Sequence, residues 1–195
     1  MSTPEKHPEV PAVEQRPVYE TPWWDFYYDD LTRIDGTKGN YAWIRSHSGN
    51  GAVMSIPVTP SGKFLLIKLY RHPVKRYLWE FPAGLIEDGE SPEGAGQREM
   101  IEETGVRPTS VKLIGSQIPV SGLIGDVFYS VLLGIPEVTV KDVSLQGEEG
   151  IVESKLVSNR EIVEMINTQE IEDGVTLMCL ARYWSYTGLS NPADK

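Results

Sequence analysis

The chain has 195 residues, with 28 acidic against 18 basic side chains and a formal net charge of −10. That length supports one domain with a buried core, with or without an appendage. The charge argues against a nucleic-acid groove or an anionic membrane surface as partner, but not against a small polyanionic substrate, because a bound metal ion can supply local positive charge.

Residues 1–20 are rich in Pro and Glu without an apolar period and read as a mobile tail. From Thr21 the composition changes. TPWWDFYYDDLTRI is aromatic-rich and suggests a strand, Asp35-Gly36 and Gly39-Asn40 signal a turn, and NYAWIRSHSG suggests a second strand. The expected unit is an antiparallel β ribbon over residues 21–50. A two-stranded ribbon is marginal alone, so it must pack on the main domain or on a second subunit. Its aromatics, Trp24, Tyr28 and Trp43 among them, have two readings: interface and core packing, or a stacking platform for a nucleobase.

The main domain is expected over residues 51–188, followed by a short tail over residues 189–195. AVMSIPVTP and KFLLIKLYR are short apolar runs joined by Pro60-Ser61-Gly62, a hairpin signal. Phe64 to Ile67 is continuously apolar, which fits a strand buried on both faces. Arg71, His72, Lys75 and Arg76 form a basic island in an acidic chain. It is either a solvated loop or a phosphate contact, and Arg71, nearest the strand end, is the favoured contact.

Then comes GLIEDGESPEGAGQREMIEETGV, from Gly84 to Val106. Ser91 is a good N-cap, Pro92 fits the first helical position, Gly105 suits the C′ position and Pro108 forbids a restart. Glu99, Glu102 and Glu103 are related by helical steps of three and four, with Arg98 beside them and Glu90 just before. Carboxylates about 5 Å apart repel by roughly 3 kcal/mol at an effective dielectric near 20, and a hard divalent cation reverses that sign. Oxygen ligands without Cys or His suit Mg²⁺ or Mn²⁺. The plainer alternative is a solvated acidic helix face. Gly94 and Gly96 sit inside this helix at about 1 kcal/mol each relative to Ala. Either the first turn is loose or another backbone packs closely there.

SVKLIGSQIPV and DVFYSVLLGI read as further strands with SGLIGD as a turn between them. VTVKDVSLQGEEGIVESKLVS gives a polar loop and another strand. Ser158 to Glu161 is a capping box that opens a helix, and VTLMCLARYWSYTG reads as the last helix. Cys179, the sole cysteine, lies in its apolar pattern and is expected in the core. There is no Lys/Arg-led apolar leader and no membrane-length apolar run, so a cytoplasmic location is the simplest expectation.

Gly84, Glu90 and the run Arg98-Glu99-Met100-Ile101-Glu102-Glu103-Thr104-Gly105-Val106 match every fixed position of the Nudix box, with Met100 and Val106 in its apolar slots. The chain therefore resembles the Nudix hydrolases. The LWEFPAG lead-in, with Glu80 in it, and the aromatic ribbon resemble the ADP-ribose pyrophosphatase and nucleoside diphosphate sugar branch. The resemblance implies an α/β/α sandwich with a mixed sheet, preceded by the N-terminal ribbon. It implies hydrolysis of the pyrophosphate bond of ADP-ribose or a related nucleoside diphosphate sugar, to a nucleoside monophosphate and a sugar phosphate. It implies Mg²⁺ or Mn²⁺ held by Glu99 and Glu103, with Glu102 as ligand or bridge, Glu90 further out, and the Ala83 carbonyl completing coordination. Arg98 would orient the glutamates. The general base would lie on a later loop, at Glu149 or Glu148, with Glu149 favoured. Similar proteins exchange the ribbon between the subunits of a homodimer, where it helps line the base site.

The branch carries a proline where this chain has Ser121, and the nearest proline here is Pro119. Other substrates, GDP-mannose included, are therefore open. A Nudix fold that binds a nucleotide without catalysis is the alternative from another class.

Overall fold

The computed structural model describes residues 15–145 and 150–189. The chain divides into two compact units. One comprises residues up to Gly49 together with Val120–Asp126, and the other comprises Asn50–Pro119 and the chain from Val127 onward.

The first unit is a three-stranded antiparallel sheet in the order β1 (Pro17–Glu20), β2 (Trp24–Thr32), β3 (Lys38–Ser46). The sequence reading placed residues 17–20 in the tail. They instead form β1, with Tyr19 opposite Phe26 and Glu20 opposite Asp25. A third strand gives β2 a second hydrogen-bonded neighbour, which an isolated hairpin lacks. The turn between β2 and β3 is built around Gly36 at φ +83°, whose N–H donates to the Arg33 carbonyl at 2.9 Å. Residues 121–126, read from sequence as a turn, close on β3. The Ile44 N–H donates to the Leu123 carbonyl at 2.8 Å, and the Ser46 hydroxyl donates to the buried Asp126 at 3.0 Å.

The second unit holds a seven-stranded mixed sheet. Its main order is β10 (Ile151–Val157), β5 (Phe64–Arg71), β4 (Ala52–Val58), β9 (Phe128–Gly134), β8 (Ser110–Gln117). The short β6 (Arg76–Glu80) pairs with β5, and β7 (Ala83–Leu85) pairs with β4. The β4–β9 pair is parallel and the others are antiparallel. Among the described residues the helices are α1 (Pro92–Thr104), α2 (Asn159–Asn167) and α3 (Gly174–Thr187), with a 3-10 turn at Val140–Asp142.

Period-2 alternation sorts the sheet's side chains between two helical layers. On β4 and β9, Val53, Val131 and Leu133 join Ala95 and Met100 of α1 in one buried cluster. On the other side of the sheet, Ser130 of β9 meets Cys179 of α3 at 3.4 Å, and Phe64 of β5 meets Tyr183 of α3 edge-on at 5.0 Å. Helices on both faces explain why Phe64 to Ile67 is fully buried without alternation. No helix among the described residues is long and apolar enough to cross a membrane.

The start and stop of α1 follow the signals in its sequence. The Ser91 hydroxyl accepts from the Gly94 N–H at 3.1 Å, and Gly105 at φ +71° donates to the Ile101 carbonyl at 2.8 Å. Gly96 marks a close approach. A Cβ there would lie 3.2 Å from Ser55 Oγ and 3.3 Å from Val131 Cβ, so the helix presses on β4 and β9 where it has no side chain.

Candidate active site

The second unit brings the box carboxylates onto the edge of α1 that faces β7. Glu103 is buried, and its carboxylate accepts from the Ala83 N–H at 3.0 Å. Glu99, one turn earlier, is also buried. It lies against Gly84, where any Cβ would overlap its carboxylate, so only glycine admits this packing. Glu102 sits on the outer side of the same edge and is half exposed. The shared helix face expected from spacing thus splits by depth, into two sequestered carboxylates and one solvated one.

Arg98 ties the set together. Its guanidinium donates to Glu90 at 3.1 and 3.0 Å, to Glu99 at 2.7 Å, to Glu102 at 3.0 Å and to the Leu85 carbonyl at 3.0 Å. These are charge-assisted bonds in the fork geometry that suits arginine. The hydrogen bond to Glu90, followed by those to the other glutamates, holds the guanidinium even more firmly in its charged form. Partial burial works to raise the Glu90 carboxyl, but the Arg98 bonds and the Glu87 N–H outweigh it and keep Glu90 below its usual range.

Arg71 ends β5 opposite Arg76, and Glu80 ends β6 opposite Ile67, four positions along the same antiparallel ladder and on the same face of it. Arg71 donates to Glu80 through Nε at 2.9 and 3.2 Å and through Nη2 at 2.6 Å. Arg71 is therefore not the free cation that its place in a basic island suggested. Glu80 is 2% exposed, and burial pushes its carboxyl above the usual range against the opposing pull of Arg71. Asp173, the N-cap of α3, accepts from the Thr176 N–H at 2.7 Å, and its charge reaches both members of the pair. Asp173 was not singled out from sequence. The Asp-Gly before an apolar helical run signals the cap, but not its neighbours.

Glu148 and Glu149 lie outside the described residues. The chain on either side of them is fixed. The Ser144 N–H donates to the Thr104 carbonyl at the end of α1 at 2.8 Å, Leu145 packs beside Ile67, Leu69 and Ile151, and the Gly150 carbonyl accepts from the Tyr70 N–H at 3.3 Å.

The aromatic trio of the first unit is not one platform. Register pairs Tyr27 with Trp43 and Tyr28 with Ala42. Directly opposed residues share a face and neighbours alternate, so Trp43 lies on one face of the sheet and Trp24 and Tyr28 on the other. Trp43 stacks on Tyr27 at 4.0 Å and donates to Asp29 at 2.6 Å, whereas Tyr28 is 58% exposed. Ser121 belongs to the same unit and is exposed.

The donor set of the box fits a hard divalent ion: Glu99, Glu102 and Glu103 offer carboxylate oxygens next to the Ala83 backbone, with no sulfur or imidazole. Their oxygens do not converge as a trio in the geometry described. Among the described residues, one set of three possible ligand atoms lies mutually within 4.8 Å, from Glu20, Asp25 and His47 of the first unit, where His47 meets Asp25 at 2.8 Å. Composition gave no warning of this group, because its members are distant in sequence.

Residues 50–176 match the NUDIX domain family model. The chain is 30% identical over 152 residues to an ADP-ribose pyrophosphatase of Bacillus subtilis, covering 78% of this chain and 80% of that protein. It is 31% identical over 162 residues to a GDP-mannose pyrophosphatase of Yersinia enterocolitica, covering 79% and 83%. A crystal structure of an ADP compounds hydrolase superposes with a TM-score of 0.74 at 20% identity, over 95% of this chain and 99% of that one, a likeness of fold.

Proposed function

The chain belongs to the NUDIX domain family and is a hydrolase acting on pyrophosphate bonds, and from that premise we propose that its substrate is ADP-ribose or a related nucleoside diphosphate sugar. The products are a nucleoside monophosphate and a sugar phosphate, formed when water attacks one phosphorus and the bond to the bridging oxygen breaks. The observation that carries this reading is the array around Arg98: one guanidinium holds Glu90, Glu99 and Glu102, next to a Glu103 that is fixed by the Ala83 N–H.

Glu99 and Glu103, with the Ala83 carbonyl, would hold Mg²⁺ or Mn²⁺, and Glu102 would join from the solvent side. Such an ion acidifies bound water and neutralises the charge that develops on the phosphoryl oxygens. The protein's own part is to keep these carboxylates aimed. Arg98 holds Glu99 and Glu102 through charge-assisted bonds, and the Ala83 N–H holds Glu103. Burial of Glu99 and Glu103 strips away water that would otherwise screen them. Arg71, held by Glu80 through Nε and Nη2, offers its Nη1 donors to a diphosphate oxygen. Glu149, or its neighbour Glu148, takes the proton from the attacking water. In support, the chain flanking these residues is bonded to the end of α1 on one side and to β5 on the other.

The test is a side-by-side rate comparison on ADP-ribose, GDP-mannose and UDP-glucose with Mg²⁺ and with Mn²⁺. Release of mononucleotide, fastest from ADP-ribose, is expected. GDP-mannose is the second reading, favoured by the Yersinia relative's name and by Ser121 where the ADP-ribose branch carries a proline. Tight binding without mononucleotide release from any of the three would mark a sensor instead.

A further inference from the structure

We propose that Ser55 is a positioning residue for the metal-binding carboxylates, an assignment that rests on the pyrophosphatase reading above. Ser55 lies on β4, fully buried between β7 and α1. It makes two hydrogen bonds to two different segments. Its N–H donates to the Pro82 carbonyl at 2.8 Å, and its hydroxyl donates to the Gly96 carbonyl in the middle of α1, also at 2.8 Å. Pro82 is joined to Ala83, and Gly96 stands one turn before Glu99. One residue therefore fixes both pieces of backbone whose oxygens must meet at the ion.

A carbonyl within α1 already accepts from the N–H four residues on, so the Ser55 hydroxyl adds a second bond that helix formation does not require. Gly96 leaves room for that bond. A Cβ at this position would stand 3.2 Å from Ser55 Oγ, tighter than ordinary contact, so the hydroxyl or the helix would have to give by a few tenths of an ångström. The least favourable helix residue short of proline thus sits where the hydroxyl needs the closest approach. Metal coordination tolerates errors of only about 0.2 Å in ligand distance. A bond that sets α1 against β7 therefore acts on ion affinity through Glu99 and Glu103, while Ser55 touches neither ion nor substrate.

The experiment compares Ser55→Ala with Ser130→Ala in the full-length protein. Ser130 is an equally buried hydroxyl on the same sheet, bonded to Gln117 and Cys179 on the α3 side. Mn²⁺ affinity is measured calorimetrically without substrate, and the Mn²⁺ concentration for half-maximal turnover is measured alongside KM for the nucleotide substrate. Ser55→Ala is expected to weaken Mn²⁺ binding about tenfold or more, the usual scale for a residue supporting a ligand, and to leave KM at saturating metal unchanged. Ser130→Ala is expected to leave Mn²⁺ affinity unchanged. Equal Mn²⁺ affinity in Ser55→Ala and wild type, or equal losses in both variants, overturns the assignment. If Ser55→Ala does not fold, Ser55→Cys replaces it. Its weak donor should give a smaller loss in the same direction, and wild-type affinity there also overturns the assignment. A wild-type protein that binds Mn²⁺ yet cleaves no substrate fails the pyrophosphatase reading instead, and the calorimetric comparison still stands.

Discussion

Replacing Arg71 with Met isolates the energetics of the Arg71–Glu80 pair. Met keeps the aliphatic stem and removes the three donor contacts, at 2.9, 3.2 and 2.6 Å. Glu80, 2% exposed, is left as a buried carboxylate without its cation. Orphaning a buried charge costs about 3–5 kcal/mol. Arg71 is 43% exposed, so solvent screens part of the pair and the low end, about 3 kcal/mol, applies. For a chain of this size that lowers Tm by roughly 6–12 °C.

The pH dependence fixes the cause. Burial already raises the Glu80 carboxyl in the folded state, so folding favours its protonated form. Stability therefore falls as pH rises from the unfolded carboxyl range through the folded value. Loss of Arg71 widens that window upward, so the deficit in Arg71→Met should shrink in acid and be largest at neutral pH. Adding Glu80→Gln should recover most of it. The assay is thermal unfolding of wild type, both single variants and the double variant across pH 5 to 8. A neutral-pH Tm for Arg71→Met within about 2 °C of wild type, or a deficit that is flat with pH, would refute this account of the pair.

Glu103→Gln keeps an acceptor for the Ala83 N–H, so it should fold normally yet lose Mn²⁺ affinity and at least about 100-fold in turnover, read by calorimetry and steady-state rates. Glu149→Gln should lower turnover by about 100-fold while Mn²⁺ binding persists; wild-type rates in both the Glu148 and Glu149 variants discard the base assignment. Chelation with EDTA should abolish mononucleotide release, and Mg²⁺ or Mn²⁺ should restore it. If the exposed Phe26 and Tyr28 of the N-terminal sheet meet a second subunit of the homodimer that the resemblance implies, Phe26→Ser with Tyr28→Ser should lower the sedimentation coefficient, and an unchanged value removes that face from an interface.

The box helix was legible because its signals are local: a serine cap, a proline, a glycine stop and carboxylates at helical spacing. The two-faced burial of β5 was legible for the same reason, in an unbroken apolar run. Facts that depend on register or on distant partners were not. The faces of Trp24 and Trp43 follow from which residue of β3 opposes which residue of β2, and a one-residue slip would reverse them. The engagement of Arg71 by Glu80 needs β6 to return beside β5. Sequence showed Gly96 as a cost and left a close approach as one of two readings; that the approach is made by Ser55 and Val131, side chains of β4 and β9, was not legible.

Cys179 gives a built-in probe. Its thiol is fully buried against Ser130 and Gln117, and burial pushes it up to about 11, so almost none is thiolate near neutral pH. In the native protein it should resist alkylating reagents, and whatever labelling occurs must pass through moments when α3 lifts off its strands. With one cysteine in the chain, the labelling rate of the unmodified protein times that local opening directly, and a bound nucleotide that slows it reports rigidity gained far from any phosphate.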